Sequence, residues 1–260
     1  MSTIRTVTVT RYMQPLREGG SLPALAEADD GNKYVVKFRG TGHGVKTLIA
    51  ELLGGEIARA LGLNVPEIVF AGLDECFGRT EGDEEIQDLL KASQGLNLGL
   101  KFIPGAFAFD PAVNKPDALL ASIIVWLDSL LVNPDRSFKN TNLLMASKEL
   151  WLIDHGSCLY YHYRWDGWHN KATEPFQYIK DHVLLSLASQ MEDADALCRQ
   201  FIDDQVLHSI VQIIPDGWIN WESQNISPEQ VRRAYFTFLS HRLQNSKQFI
   251  KEAHAAKALI

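Results

Sequence analysis

The sequence predicts an α+β fold in two lobes, with an antiparallel β small lobe over residues 1–103 and a mainly helical large lobe over residues 104–260. Three observations carry this expectation. Short β-branched or apolar runs, punctuated by tight-turn residues, fill the first hundred positions. Longer apolar patterns of helical period follow Pro104-Gly105. Between the first of these helices and a short hairpin lies a polar loop, Asn133 to Asn142, that fits neither period.

Composition narrows the class. With 260 residues and 46% hydrophobic content, the chain can bury a large core. Charged residues make up 22%, so long disorder is not expected. A formal net charge of -7 argues against a general nucleic-acid binder. Cys76, Cys158 and Cys198 are odd in number, widely spaced and without CxxC or zinc-ligand spacing, so they are expected to be reduced, buried thiols. The opening MSTIRTVTVT alternates instead of forming a signal-peptide core, and no apolar run reaches about 18 residues. The expectation is a cytoplasmic protein without a membrane segment.

Residues 6–10 alternate β-branched side chains and read as a strand. Residues 17–21 form a turn, 22–28 a second strand, Asp29-Asp30-Gly31-Asn32 a hairpin turn, and 34–38 a third strand. A glycine-bearing loop over 39–44 leads into a helix over 45–61. Residues 66–73 are strand-like, 81–85 an acidic loop, and 97–103 a further strand. The turn glycines Gly19 and Gly20, with Ser21, stand where backbone N–H groups could face an anion. The run Gly40 to Thr47 is not a Walker A motif, because Val45 occupies the position that lysine would need.

Lys37 interrupts the third strand. It either lies on the solvent face or is a strand lysine that meets nucleotide phosphates and a helix glutamate. Glu51 and Glu56 both sit on the following helix. Five residues at about 100° each separate them by roughly 140°, so one lysine cannot take both. Glu51 borders the apolar stripe of Leu48 and Leu52 and is assigned to Lys37; Glu56 is expected at the surface.

The strand that leaves a small lobe can present its backbone to an adenine edge. Lys101, Phe102 and Ile103 are the candidates, and Pro104-Gly105 marks the lobe boundary. Helices are then expected over 117–132, 176–188, 193–214 and 227–256, the last with Ser227 as cap and Pro228 in its first turn. The first ends at Asn133-Pro134, as proline requires. Asp135 and Asn140 follow, then two short apolar runs around a turn at Ser147-Lys148, then Asp154 at a strand end. An acid, four residues, an amide and a second acid at a strand end is the layout of a kinase catalytic loop and metal-binding loop. There the first acid takes a hydroxyl proton, and the amide and second acid hold Mg2+. The aromatic stretch Tyr160 to His169 could form a recognition surface or pack against the large lobe; packing is the simpler reading. Ser21, Ser137 and Ser157 are ordinary loop serines or phosphorylation sites.

YVVKF (34–38), AELLGGEIARALGLNVPE (50–67), NPDRSFKNTNLL (133–144) and LIDHG (152–156) together resemble the HipA-like kinases, in particular the small stand-alone bacterial versions. The similarity runs from about Arg11 to Ile214. It implies a two-lobe protein-kinase-like fold and transfer of the γ-phosphate of ATP, with Mg2+, to a hydroxyl, most often of a protein Ser or Thr. On this resemblance Lys37 is the phosphate-binding lysine and Glu51 its partner. Asp135 is the catalytic acid, Lys139 lies beside the transferred phosphate, and Asn140 and Asp154 are metal ligands. Asn133-Pro134-Asp135 replaces HRD, and Asp154-His155-Gly156 replaces DFG. These departures leave protein, lipid and small-molecule acceptors open; a nucleotide-binding pseudokinase is a further alternative, against which the intact set Lys37, Glu51, Asp135, Asn140 and Asp154 argues.

Overall fold

The computed structural model describes residues 4–16, 22–42, 44–75, 77, 82–220 and 226–259, with the His169 side chain excepted. The proposed phosphate loop Gly19-Gly20-Ser21 and Cys76 lie outside the described residues. The chain divides into two compact units, Met1–Leu52 with Pro66–Gly105, and Leu53–Val65 with Ala106–Ile260.

The first unit is built on five strands: β1 (Thr6–Pro15), β2 (Ala24–Ala28), β3 (Lys33–Lys37), β4 (Ile68–Leu73) and β5 (Gly95–Lys101). β1, β2 and β3 form the expected antiparallel meander, with Val9 opposite Ala28 and Ala24 opposite Val36. β5 then inserts between β3 and β4. The expected purely antiparallel sheet needs one correction. β1 also runs parallel to β4, Thr6 opposite Phe70, and this contact closes the sheet into a small barrel. Closure pairs the two edges that an open sheet would leave with unmatched backbone groups. Val7, Val9, Ala24, Ala26, Tyr34, Val36, Val69 and Ala71 fill the core. The approach is tight at Gly99, where a Cβ would stand 2.8 Å from Val69 Cγ2.

α1 (Gly44–Ala60) gives its first turns to this unit and its last turns to the second. Of the expected acidic loop over 81–85, Glu81 lies outside the described residues and Gly82-Asp83 is non-helical, but Glu84 and Glu85 already belong to α2 (Glu84–Ala92). Asp83 caps it, accepting from the Glu85 and Ile86 amides, and Glu84 and Glu85 suit the positive helix end.

In the second unit, β6 (Phe107–Ala108), β7 (Leu143–Ala146) and β8 (Glu149–Leu152) form a three-stranded sheet. The β7–β8 turn falls on Ser147 and Lys148, as expected, with φ of 52° and 70°. α3 (Ala118–Leu130) is capped by Asp117 and stops short of the expected Val132, whose φ is 47°. No α-helix covers 176–188. A 3-10 turn over Gln177–Asp181 gives way to extended backbone at His182, which bridges to Ser137, while the Val183 amide donates to the Arg136 carbonyl at 3.0 Å. These two ties to the polar loop outcompete a helix.

The expected helix over 193–214 is two, α4 (Met191–Phe201) and α5 (Asp204–Val211), because Asp203 accepts from the Val206 amide and starts a new helix. After α6 (Asp216–Ile219), the last expected helix is likewise two, α7 (Pro228–Gln244) and α8 (Lys247–Lys257), broken at Asn245-Ser246. Its start is as expected: Ser227 and Gln230 form a capping box with Pro228 in the first turn. Trp126 on α3 anchors the helices, donating through Nε1 to Asp195 on α4 at 2.8 Å and meeting Phe249 on α8 edge-on at 6.2 Å. Among the described residues no helix is long and apolar enough to cross a membrane.

Candidate active site

Lys37 ends β3 and Glu51 lies on the first half of α1. Their Nζ and Oε2 atoms are 2.6 Å apart, with Lys37 5% and Glu51 1% exposed. A charge pair this buried persists only when both members are present, since each alone would carry an uncompensated desolvation cost. The loop joining the two residues is pinned by Asn97, whose Oδ1 accepts from the Arg39 amide at 2.8 Å, and by Ser93, whose hydroxyl accepts from the Gly40 amide at 3.1 Å. Glu56 is not at the surface. It is 5% exposed and bonded to Arg59 at 2.8 Å, because α1 is buried around most of its circumference. Burial pushes the Glu56 carboxyl above its ordinary range, with the Arg59 charge opposing it.

The second unit holds Asp135, Asn140 and Asp154. Asp135 Oδ2 accepts from Asn140 Nδ2 at 3.1 Å, from Asn142 Nδ2 at 3.3 Å and from the Ser157 hydroxyl at 3.4 Å. Asn142 Nδ2 also donates to the Asp135 carbonyl at 2.6 Å. The acid and the amide picked from their spacing therefore meet in space.

A buried network, not foreseen from the sequence, sets this loop. Asp128, deep in α3, accepts from Asn133 Nδ2 at 2.8 Å, Arg136 Nε at 2.5 Å and His182 Nε2 at 2.9 Å. His182 Nδ1 accepts from the Leu184 amide, so Nε2 carries the proton donated to Asp128. Burial alone would favour the neutral acid at Asp128. The Arg136 charge and the His182 bond outweigh it and hold the carboxyl well below its usual range. Arg136 also donates to the Asn142 carbonyl at 2.5 Å and the Ile153 carbonyl at 3.4 Å. The Asn142 carbonyl accepts in turn from the Ile153 amide at 3.1 Å. Arg136 and Asn142 thus fasten the residue next to Asp135 to the residue next to Asp154. The available signals were a lone carboxylate in an apolar helix and the arginine directly after Asp135.

Asp154 has φ 54°, and Val132, Asn142 and Leu159 are also left-handed, at 47°, 48° and 56°. For branched Val132 this conformation is strained, and such residues concentrate where surrounding bonds impose a functional geometry. His155, fully buried, packs on α1 at Gly54, where a Cβ would stand 2.6 Å from His155 Cβ. Gly54→Ala ordinarily would gain about 1 kcal/mol of helix propensity. Here overpacking is expected to dominate, at about 1–3 kcal/mol. The variant should melt several degrees below the wild type; an unchanged or higher Tm would show that His155 yields freely.

Lys139 is exposed beside Asn140 and forms no ion pair among the described residues. Among the candidates for the adenine edge, the Lys101 amide donates to the Glu67 carbonyl and the Phe102 amide to the Lys33 carbonyl, both at 2.9 Å. Of those three candidates, only the Ile103 amide remains uncommitted among the described residues. The aromatic stretch after Asp154 packs inward: Trp168 lies 5.1 Å from Tyr235 and 4.8 Å from Phe238 on α7, and His162 Nδ1 is 3.0 Å from the Tyr235 hydroxyl. Cys158 and Cys198 are buried free thiols, and burial pushes Cys198 up to about 12.

Among the described residues, no cluster of three or more His, Cys, Asp or Glu side chains could cage a metal. The Asn140 amide commits its nitrogen to Asp135, leaving Oδ1 uncommitted, and Asp154 adds a carboxylate. Two such hard oxygens, completed by phosphate and water, fit Mg2+, which keeps few protein ligands.

A family model described as HipA-like kinase matches residues 9–251. The chain belongs to the HipA-like kinases. As a kinase, it is a phosphotransferase. A crystal structure of the Helicobacter pylori proinflammatory kinase CtkA is similar at 19% identity and a TM-score of 0.54, covering 98% of this chain and 99% of that one. That similarity shows a shared fold. The Golgi casein kinase aligns at 12% identity and a TM-score of 0.46, covering 94% of this kinase and 74% of its own chain. Its Mn/ADP-bound form aligns at 14% and 0.44, covering 94% and 73%. No curated protein matches this kinase.

Proposed function

We propose that this HipA-like kinase is a two-lobe, ATP- and Mg2+-dependent enzyme that phosphorylates Ser or Thr hydroxyls of polypeptides. The first unit would serve as the nucleotide-binding lobe and the second as the catalytic lobe. The observation that carries the reading is the Asp135 carboxylate held by Asn140, Asn142 and Ser157 within a rigid buried framework.

In the proposed reaction the acceptor oxygen forms a bond to the γ-phosphorus, and the bond to the β,γ-bridging oxygen breaks. ADP leaves with that electron pair, and Asp135 takes the hydroxyl proton. Lys37, kept in place by Glu51, binds the α/β-phosphates. Ile103 offers its amide to the adenine edge, and Lys139 stands beside the transferred group. Asn140 and Asp154 would hold Mg2+, which supplies charge neutralisation of the phosphates. Phe138, 66% exposed in the loop beside Asp135, gives a polypeptide acceptor an apolar foothold.

The test is transfer from γ-labelled ATP to protein, with and without EDTA, alongside Asp154→Asn. Asparagine tolerates the left-handed backbone at this position, so the substitution removes charge rather than fold. Label transfer should vanish with EDTA and fall at least about 100-fold in the variant. Undiminished transfer in both would overturn the assignment of Asp154 and of the metal.

A further inference from the structure

Asp135 is gripped by one oxygen only. Three donors converge on Oδ2, at 3.1 Å from Asn140, 3.3 Å from Asn142 and 3.4 Å from Ser157. Among the described residues no donor reaches Oδ1. The donors come from separate places: Asn140 and Asn142 from the polar loop, and Ser157 from the segment after Asp154. Asn142 is fixed in three ways. Its Nδ2 also bonds the Asp135 carbonyl, its own carbonyl accepts from Arg136 and the Ile153 amide, and its backbone is left-handed at 48°.

A carboxylate oxygen has about two lone-pair directions, so three donors leave Oδ2 no free acceptor site. They also stop the carboxylate rotating about its Cβ–Cγ bond. The remaining oxygen is then presented in one orientation, with both lone pairs open. Resting on the kinase reading above, we propose that Oδ1 of Asp135 receives the acceptor's proton, and that Asn142 and Ser157 are positioning residues that hold the carboxylate through Oδ2. As the acceptor oxygen bonds the γ-phosphorus, its O–H electron pair stays on that oxygen and the proton passes to Oδ1.

Neither residue touches nucleotide in this account, so their loss should appear in turnover and not in nucleotide affinity. Single-turnover phosphate release from Mg2+-ATP, with water as the acceptor, is the readout. Asn142→Gly removes the amide while tolerating the positive φ, and should lower the rate about tenfold or more. Ser157→Ala should lower it about threefold, and Ser157→Thr, which keeps the hydroxyl, should restore it. KM for ATP should stay within about twofold throughout.

Asp135→Asn run alongside separates the two levels of the argument. If it matches the wild type, the assignment of Asp135 as the base fails. If it is inactive while Asn142→Gly and Ser157→Ala turn over at the wild-type rate, only the positioning proposal fails. Equal losses in Ser157→Ala and Ser157→Thr would make the serine a packing residue and overturn its role. A rise in KM that accounts for the whole Asn142→Gly effect would do the same for Asn142.

Discussion

Asp135→Asn is expected to lower phosphoryl transfer by about 10²–10⁴-fold, the range a positioned general base contributes. Affinity for Mg2+-ATP should change little. The substitution is close to isosteric, so the side-chain oxygen can still accept from Asn140, Asn142 and Ser157. What it would remove is the oxygen proposed to take the proton. Nucleotide binding by calorimetry and transfer from labelled ATP, measured on one preparation, separate the two effects. A variant within tenfold of the wild-type rate would move the base elsewhere; a variant that also loses nucleotide would make Asp135 a binding residue.

The largest stability effect is expected at Asp128. Asp128→Ala leaves the Arg136 guanidinium buried without its counter-charge, and Asn133 and His182 without their acceptor. Breaking such a pair from one side costs about 3–5 kcal/mol. At about 2–4 °C per kcal/mol for a chain of this size, Tm should fall by roughly 6–20 °C. A fall of under about 2 °C would show that the network contributes little. The same carboxylate predicts a pH dependence with a definite sign. Its folded pKa lies below its unfolded value of about 3.9, so its stabilisation is complete above that pH and is lost as acidification continues below it.

Much of the candidate site's geometry was legible in the sequence because its parts are local. Lys37 could be placed because one charge interrupts an apolar strand. Glu51 could be chosen over Glu56 because helical geometry allows only one of them to face it. Asp135 and Asn140 fall within one loop, and the turn at Ser147-Lys148 delivers Asp154 at a strand end. Each of these inferences needs only the period of one element and the chemistry of its side chains.

The misreadings share another cause. Glu56 was expected at the surface, yet the surroundings of α1 bury it and Arg59 partners it. The stretch over 176–188 has helical period but gives up its helix to bond Ser137 and Arg136, which lie about 45 residues before their partners His182 and Val183. The acidic run near residue 83 looked like a solvated loop because the charges that favour a helix start also favour solvent.

By itself the sequence determined most of the strands, the helices α1 and α3, the Lys37–Glu51 pairing, and the acid–amide–acid order of the candidate site. Tertiary structure alone decided that the β-sheet closes through a parallel β1–β4 contact. It also decided that Asp128, Arg136 and His182 hold the loop, and that three donors choose one oxygen of Asp135. The reason is physical. Periodicity and turn chemistry act over a few residues, whereas a buried charge finds partners wherever the packed chain brings them, and no local pattern encodes that distance.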